Sequence, residues 1–325
     1  MLDAKASRKT KLLTNNELAL NLIESAALTR LTIRHEFFAM GTRFNFIAVN
    51  PPKDAFAILE ARARDLESKW TRFNVNSELM QINFAQGQER KISPEVALLI
   101  SEMIKGYQLT DGSFNPSVLP ALTRRGFVTE DQSINDRASV SEMQIGNLND
   151  IAFGDDRQTV QLPKGMMLDA GGIGKGLAAD ILADQAIALG SGGIAVFAGG
   201  EVAVRGQAPT AGGWTIGVQN PWDSEDLLDV VELSRGGIAT SSSEARTAHD
   251  GHHLIDPHSG LSFVTDIVQA TVLCDRATDA EVLTKACFAY NHTDALAMVE
   301  EAGAQALLVT ADGAIHRSHK WEDFT

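Results

Sequence analysis

The chain has 325 residues, enough for one large domain or two closely joined ones, and its 44% hydrophobic and 22% charged content excludes a largely disordered polymer. Lys plus Arg number 28 and Asp plus Glu 42, a formal charge of −14 that repels phosphodiester backbones and argues against a nucleic-acid partner. Two cysteines, Cys274 and Cys287, are too few for a disulfide framework or a four-thiolate zinc site, and no apolar run reaches the roughly 20 residues needed to span a bilayer.

Residues 1–34 read as a variable arm in which Glu17–Leu31 has helical character. The arm carries basic residues but neither an uninterrupted apolar stretch nor a cysteine for lipid attachment, so a cytoplasmic location is the expectation. Phe37–Val49 is rich in aromatic and β-branched residues and is broken by Gly41, the pattern of a strand or a hairpin arm with a bulge. Phe56, Leu59, Ala63, Leu66 and Trp70 recur at helical spacing within Lys53–Phe73. Ser93-Pro94 supplies an N-cap and a first-turn proline for a second amphipathic helix over Val96–Tyr107, which Thr110-Asp111-Gly112 ends. Residues 123–150 are polar and read as a surface insertion.

The second half opens with short strands at Ile151–Phe153 and Thr159–Leu162, then a glycine-dense bend leading into a helix that runs to Leu189. Strands are predicted at Gly193–Val204, Trp214–Gln219, Leu228–Leu233, Ile238–Thr240 and Val268–Leu273. Helices over Asp279–Tyr290 and Thr293–Ala302 precede a hairpin, Ala306–Thr310 with Ala314–His316. Strands and helices mix without strict alternation, which predicts an α+β fold rather than a doubly wound sheet.

Two strings are dense enough to suggest chemistry. In Asp169-Ala-Gly-Gly-Ile-Gly-Lys175-Gly176 the glycines free backbone N–H groups to crowd an anion, the following helix points its positive end there, and Lys175 adds a point charge. It is not a P-loop, because Asp169 stands where the first glycine belongs and Gly176 follows the lysine. Gly174-Lys-Gly176-x-x-Ala179 is a poor dinucleotide fingerprint for want of a βαβ unit. The bland alternative is a helix-entry loop with no ligand. His252-His253-Leu-Ile-Asp256-Pro257-His258 is the second string: alternation places His253 and Ile255 on one face, and Asp256-Pro257 starts a turn. A histidine there can act as a general base or simply brace a loop, and no second ligand set supports a zinc reading.

Eight strings in sequence carry a resemblance. They are Met40-Gly41-Thr42, Arg72-Phe73 with Ser77-Glu78-Leu79, Phe114-Asn115-Pro116-Ser117-Val118, Asp169-x-Gly171-Gly172-Ile-Gly-Lys175-Gly, Gly199-Gly200-Glu201, Trp214-x-Ile-Gly-x-Gln-x-Pro221, Ala239-Thr240-Ser241 and His253-x-Ile255-Asp256-Pro257-x-x-Gly260. In this order they resemble the FAD:protein FMN transferase family (ApbE, once called a thiamine-biosynthesis lipoprotein). The resemblance covers residues 35–318 as one two-lobed, T-fold-related α+β domain of mixed sheets and packed helices, leaving 319–325 as a tail. It implies a transferase that splits the pyrophosphate of FAD, attaches FMN to a Ser or Thr of a target flavoprotein and releases AMP. A FAD-binding protein without transfer activity, or a FAD pyrophosphatase giving FMN and AMP, are the alternatives.

By position, the resemblance implies that Met40, Gly41, Phe73, Ser113, Phe114 and Asn115 line the flavin or adenine pockets. Asp169, Gly171, Gly172, Thr240 and Ile255 would also contact FAD, with Lys175 near the phosphates and His253 the base for the acceptor hydroxyl. Family members commonly hold a magnesium ion with Asp and Thr one helical turn apart, in Asp-Ala-x-x-Thr before Ala-x-Phe, and a carbonyl of the glycine loop, here Gly172. Anchored on Ala286-Cys287-Phe288, those positions are Glu281 and Lys285, with Thr284 and Asp279 as a shifted alternative. An ammonium repels Mg²⁺, which seeks hard oxygens at about 2.1 Å, so either Lys285 replaces the ion or the site is degenerate. Asn115 at a usual Asp, and Ser242-Ser243 at a usual Gly-Asp, are further departures.

Overall fold

The computed structural model describes residues 30–127, 143–223, 225–244, 247–248 and 251–325. The aromatic run after the arm is two strands, Thr32–Ala39 (β1) and Thr42–Val49 (β2), paired antiparallel from Thr32↔Val49 to Ala39↔Thr42. Their two-residue turn, Met40-Gly41, has φ of +51° and +69°, the left-handed conformation that a tight hairpin demands. Gly41 therefore answers to turn geometry, since a Cβ there would meet nothing within 4 Å. Most of the helix read over Glu17–Leu31 lies outside the described residues, and its last two, Arg30 and Leu31, lead straight into β1.

Seven helices are described: Ala55–Trp70 (α1), Glu78–Asn83 (α2), Pro94–Leu109 (α3), Leu119–Arg124 (α4), Gly174–Ala188 (α5), Ala277–Cys287 (α6) and His292–Glu301 (α7). Beyond the first hairpin lie short strands Arg90–Lys91 (β3), Ala152–Phe153 (β4) and Thr159–Gln161 (β5). Longer ones follow at Gly193–Ala198 (β6), Glu201–Gly206 (β7), Trp214–Gln219 (β8), Leu227–Leu233 (β9) and Gly236–Ser242 (β10). After the two-residue pair Thr247–Ala248 (β11) and Gly251–His252 (β12) come Ile267–Cys274 (β13), Gln305–Thr310 (β14) and Ile315–Arg317 (β15). Eight of them form one sheet in the order β1-β2-β6-β7-β10-β13-β14-β15, every neighbouring pair antiparallel. The α+β expectation holds.

Side-chain alternation explains how that sheet is covered on both faces. Along β6, Ile194, Val196 and Ala198 pack under α1 and α5, while Ala195 and Phe197 point to the opposite face. There the β8–β9 ribbon closes the core with Trp214, Ile216 and Val231. Trp321, in the segment read as a tail, is fully buried in this layer and donates its indole N–H to Asp229 at 3.0 Å. Helices α6 and α7 cover β13 and β14.

A second core packs α2, α3 and the small β3-β5-β4 sheet around Trp70, Leu79, Val96, Met103, Phe114 and Leu148. The Ser93 hydroxyl caps α3 by accepting from Val96 N–H, as the sequence predicts, and Asp111 and Gly112 end it with φ of +48° and +82°. Most of the polar stretch 123–150 is residues 128–142, outside the described residues, but Leu148 near its end is fully buried. No helix among the described residues is long and apolar enough to cross a membrane.

Glu95 at the start of α3 is clamped by Arg62 (2.9 Å) and Lys69 (3.0 Å) of α1. Burial pushes its carboxyl up, but the two cations outweigh burial and hold it at about 2, below the ordinary 4.5. A carboxylate whose pKa is depressed in the folded state contributes stability that is complete above the unfolded value and is lost as pH falls through the folded one. Glu95→Gln should therefore flatten the fall of unfolding free energy between pH 4.5 and about 2, as measured by urea titration. Identical slopes in the two proteins would contradict the clamp.

Candidate active site

The glycine-dense bend is fixed from below. The side-chain amide of buried Asn83 brackets Leu168, donating to its carbonyl and accepting from its N–H, both at 2.8 Å. Asp169 N–H then donates to the Pro116 carbonyl at 2.8 Å, tying the bend to the Phe114–Val118 turn. Asn115 shapes that turn: its Oδ1 accepts from Ser117 N–H (2.9 Å) and hydroxyl (2.7 Å), and its Nδ2 donates to Gly146 O at 3.0 Å. Side chains at Gly171 or Gly172 would crowd the cleft, since a Cβ would lie 3.0 Å from an Asp169 carboxylate oxygen or from the Phe114 ring.

Between these turns and the segment after β12 opens a cleft. Ser113, Phe114, Asn115, Asp169, Gly171, Gly172, His253, Ile255 and Lys285 line it, so nine of the residues singled out from sequence converge there. Ser113 is held by Tyr290, hydroxyl to hydroxyl, at 3.1 Å. His253, Leu254 and Ile255 all line the cleft, because the chain leaves the strand β12 at His252 and the alternation expected from sequence does not persist; Asp256 closes the following turn by accepting from the N–H groups of His258 (2.9 Å) and Ser259 (3.2 Å). The His253 ring stands edge-on to Phe127 at 6.4 Å between centroids. Burial pushes the neighbouring His252 below its usual range.

Other expected residues lie elsewhere. Met40 and Gly41 form the β1–β2 turn, where Met40 N–H donates to Glu67 at 2.6 Å. Phe73 is 50% exposed and stacks with the Arg72 guanidinium at 5.1 Å instead of lining the cleft. The Thr240 hydroxyl bonds Thr271 at 2.9 Å within the sheet. Lys175 is absent from the lining as well.

Lys175 is engaged in a buried charge cluster. Its ammonium lies 2.6 Å from Glu281 and 3.0 Å from Glu201, while Lys285 stands 3.5 and 3.7 Å from the same two carboxylate oxygens. The second Glu281 oxygen accepts from Gly176 N–H at 2.7 Å. The anion at the start of α5 is thus a side chain of α6, which corrects the expectation that this helix end and Lys175 face a ligand phosphate. α5 and α6 approach closely enough that a Cβ on Gly176 would come within 2.5 Å of the Ala277 carbonyl. Burial opposes the Lys175 charge, but the two carboxylates outweigh it and raise its pKa above the ordinary lysine value. For Lys285 burial prevails and lowers it. Glu281, beside the Lys175 and Lys285 ammonium groups and hydrogen-bonded by Gly176 N–H, is held below the usual range, whereas burial pushes Glu201 up.

Arg72 and Glu201 stand inside the sequence motifs but carry no expected role there. Arg72 lines the cleft and grips Asp169 at 2.8 Å, and Glu201 completes the buried cluster from the tip of the β6–β7 hairpin. The signal available was a charge inside a quoted motif, Arg-Phe and Gly-Gly-Glu.

The sequence profile of the ApbE family matches residues 40–308. The chain belongs to the ApbE family. Similar proteins include the FAD:protein FMN transferase of Vibrio cholerae, 23% identical over 295 residues that span 84% of this chain and 86% of that one. The Escherichia coli (strain K12) protein of that name is 25% identical over 254 residues, 74% and 72% of the two chains. The Treponema pallidum one is 31% identical over 175 residues, about half of each chain. The crystal structure of the ApbE protein from Thermotoga maritima superposes with a TM-score of 0.79 at 26% identity, over 90% of this chain and 99% of that one. The Vibrio cholerae flavin transferase ApbE superposes at 0.77 with 21% identity, which shows the shared fold.

The magnesium pair inferred by resemblance to the ApbE family does not fit this donor set. Both Glu281 oxygens are engaged, one by Lys175 and one by Gly176 N–H, and Lys285 brings an ammonium where a hydroxyl would be. The Thr284 hydroxyl donates to the Glu281 carbonyl and meets Ser241, both at 2.7 Å, so it is used within α6 and β10. Among the described residues no group of three or more His, Cys, Asp or Glu could hold a metal ion.

Proposed function

We propose that this chain is an FAD:protein FMN transferase, moving FMN from FAD to a Ser or Thr hydroxyl of a target flavoprotein. The observation that carries this reading is the convergence of His253, Asp169, Phe114, the Gly171-Gly172 bend and Lys285 on one cleft from four separate stretches of sequence, in a chain of this family.

In the reaction the acceptor oxygen bonds to the flavin-side phosphorus of FAD, and the phosphoanhydride bond to the adenylate side breaks. AMP leaves with the electron pair of that bond, and the acceptor proton passes to the base. His253 is assigned that base, because a histidine at the cleft wall can take a proton near neutral pH. Charge grows on the phosphoryl oxygens and the leaving phosphate, and a fixed cation stabilises it most in a site where water is scarce. Lys285 is the lining cation whose carboxylate contacts are long; Arg72 is held at 2.8 Å by Asp169. Phe114, Ile255 and Phe263 give an apolar wall for a flat ring. Met40, Gly41, Phe73 and Thr240 are assigned no contact.

The reading is tested by incubating the full chain with FAD and an acceptor protein carrying an exposed Ser or Thr, then resolving the mixture under denaturing conditions. A fluorescent acceptor band with equimolar AMP is expected. FMN and AMP without a labelled acceptor would favour hydrolysis, and intact bound FAD would favour a binding protein.

A further inference from the structure

The cluster that rules out the expected metal pair also supplies a cation of its own. Lys175 takes the short contacts to Glu281 and Glu201, at 2.6 and 3.0 Å, leaving Lys285 at 3.5 and 3.7 Å from the same oxygens. The positive end of α5 is committed to Glu281 through Gly176 N–H. Of these four charged side chains only Lys285 lines the cleft, beside Gly172, where an added Cβ would lie 3.9 Å from the lysine Cγ. The other lining guanidinium or ammonium group, Arg72, is matched by Asp169 at 2.8 Å. A buried oxygen of Glu201, Oε2, has no hydrogen-bond partner, so the cluster's own contacts do not satisfy it.

Resting on the transferase reading, we propose that Lys285 takes the place of a divalent ion against the diphosphate of FAD, so that this chain grips FAD without a metal. A lysine ammonium is a compact charge with three donors and binds phosphate as a point cation. Glu281 and Glu201 hold it at the wall of the cleft without closing on it. Burial alone disfavours its charge, and an arriving diphosphate restores the balance. A divalent ion placed beside it would meet a like charge instead.

The test is calorimetric titration of the full chain with FAD, and with riboflavin as a probe lacking the diphosphate, in buffer containing either a chelator or magnesium. The wild-type Kd for FAD should agree within about twofold in the two buffers. Lys285→Gln should weaken FAD at least tenfold, a loss of about 1.4 kcal/mol, and leave riboflavin unchanged. Lys285→Arg, which keeps the charge, should retain most FAD affinity and covers the case in which the Gln variant does not fold. In the pair Lys285→Thr with Glu281→Asp, magnesium should begin to tighten FAD. Wild-type binding that needs magnesium, or FAD affinity unmoved in Lys285→Gln, would overturn the inference and leave the transferase reading standing. FAD binding in neither buffer would overturn both.

Discussion

His253→Ala should lower FMN transfer by about 10²–10⁴-fold, the usual worth of a positioned general base, with FAD affinity changed no more than a few-fold. The imidazole is part of the cleft wall formed by the segment after β12, which the Asp256 turn and the Ile255↔Ser262 bridge hold in place. Removing it takes away the proton acceptor for the attacking hydroxyl while the apolar wall and Lys285 remain. Transfer at the wild-type rate would remove His253 from the chemistry, and a parallel collapse of FAD affinity would make it a binding residue.

Asp180→Ala should destabilise the fold by about 3 kcal/mol, the lower end of the range for stripping one partner from a buried ion pair, because Arg205 keeps Asp184 at 2.7 Å. Asp180 lies in α5 but caps α6, accepting from Thr278 N–H (2.9 Å), the Thr278 hydroxyl (2.6 Å) and Ala277 N–H (3.2 Å). It also accepts from the buried Arg205 guanidinium at 2.8 Å and lies 4.0 Å from that of Arg276. The start of α6 has no cap from its own N-cap side chain, so the loss of Asp180 leaves helix-end donors unpaired and strips Arg205 of one of its two carboxylates, Asp184 at 2.7 Å being the other. The consequence reaches the site, because α6 carries Glu281 and Lys285. Urea unfolding should show the loss, with FAD affinity falling alongside; a change under about 1 kcal/mol would mean that Arg205 and α6 find other partners.

What could be read from the chain beforehand follows the range of the interactions involved. Ser93-Pro94, the Thr110–Gly112 stop and the Ala55–Trp70 helix were legible because caps, turns and apolar periodicity act over a few residues. The cleft was legible in part because its walls come from short dense strings, and Asp169, Phe114, His253 and Ile255 do meet. The pairing of Lys175 with Glu281 was not, because 106 residues separate them and only the packing of α5 on α6 joins them. The same holds for Asp180, whose capping role spans 98 residues to Thr278. Met40, Phe73 and Thr240 were drawn toward the cleft by motif membership, yet the hairpin turn, the exposed helix end and the sheet interior claim them. Trp321 was hidden by its place near the chain end, although a tryptophan there is costly to leave in water.

The most direct test of the central claim is a crystal structure of the full chain with FAD bound in a metal-free buffer. The diphosphate should lie within hydrogen-bond distance of the Lys285 ammonium, with the flavin-side phosphorus facing His253 and the ring against Phe114. FAD bound outside this cleft, or inside it with its diphosphate turned away from Lys285 and His253, would contradict the account.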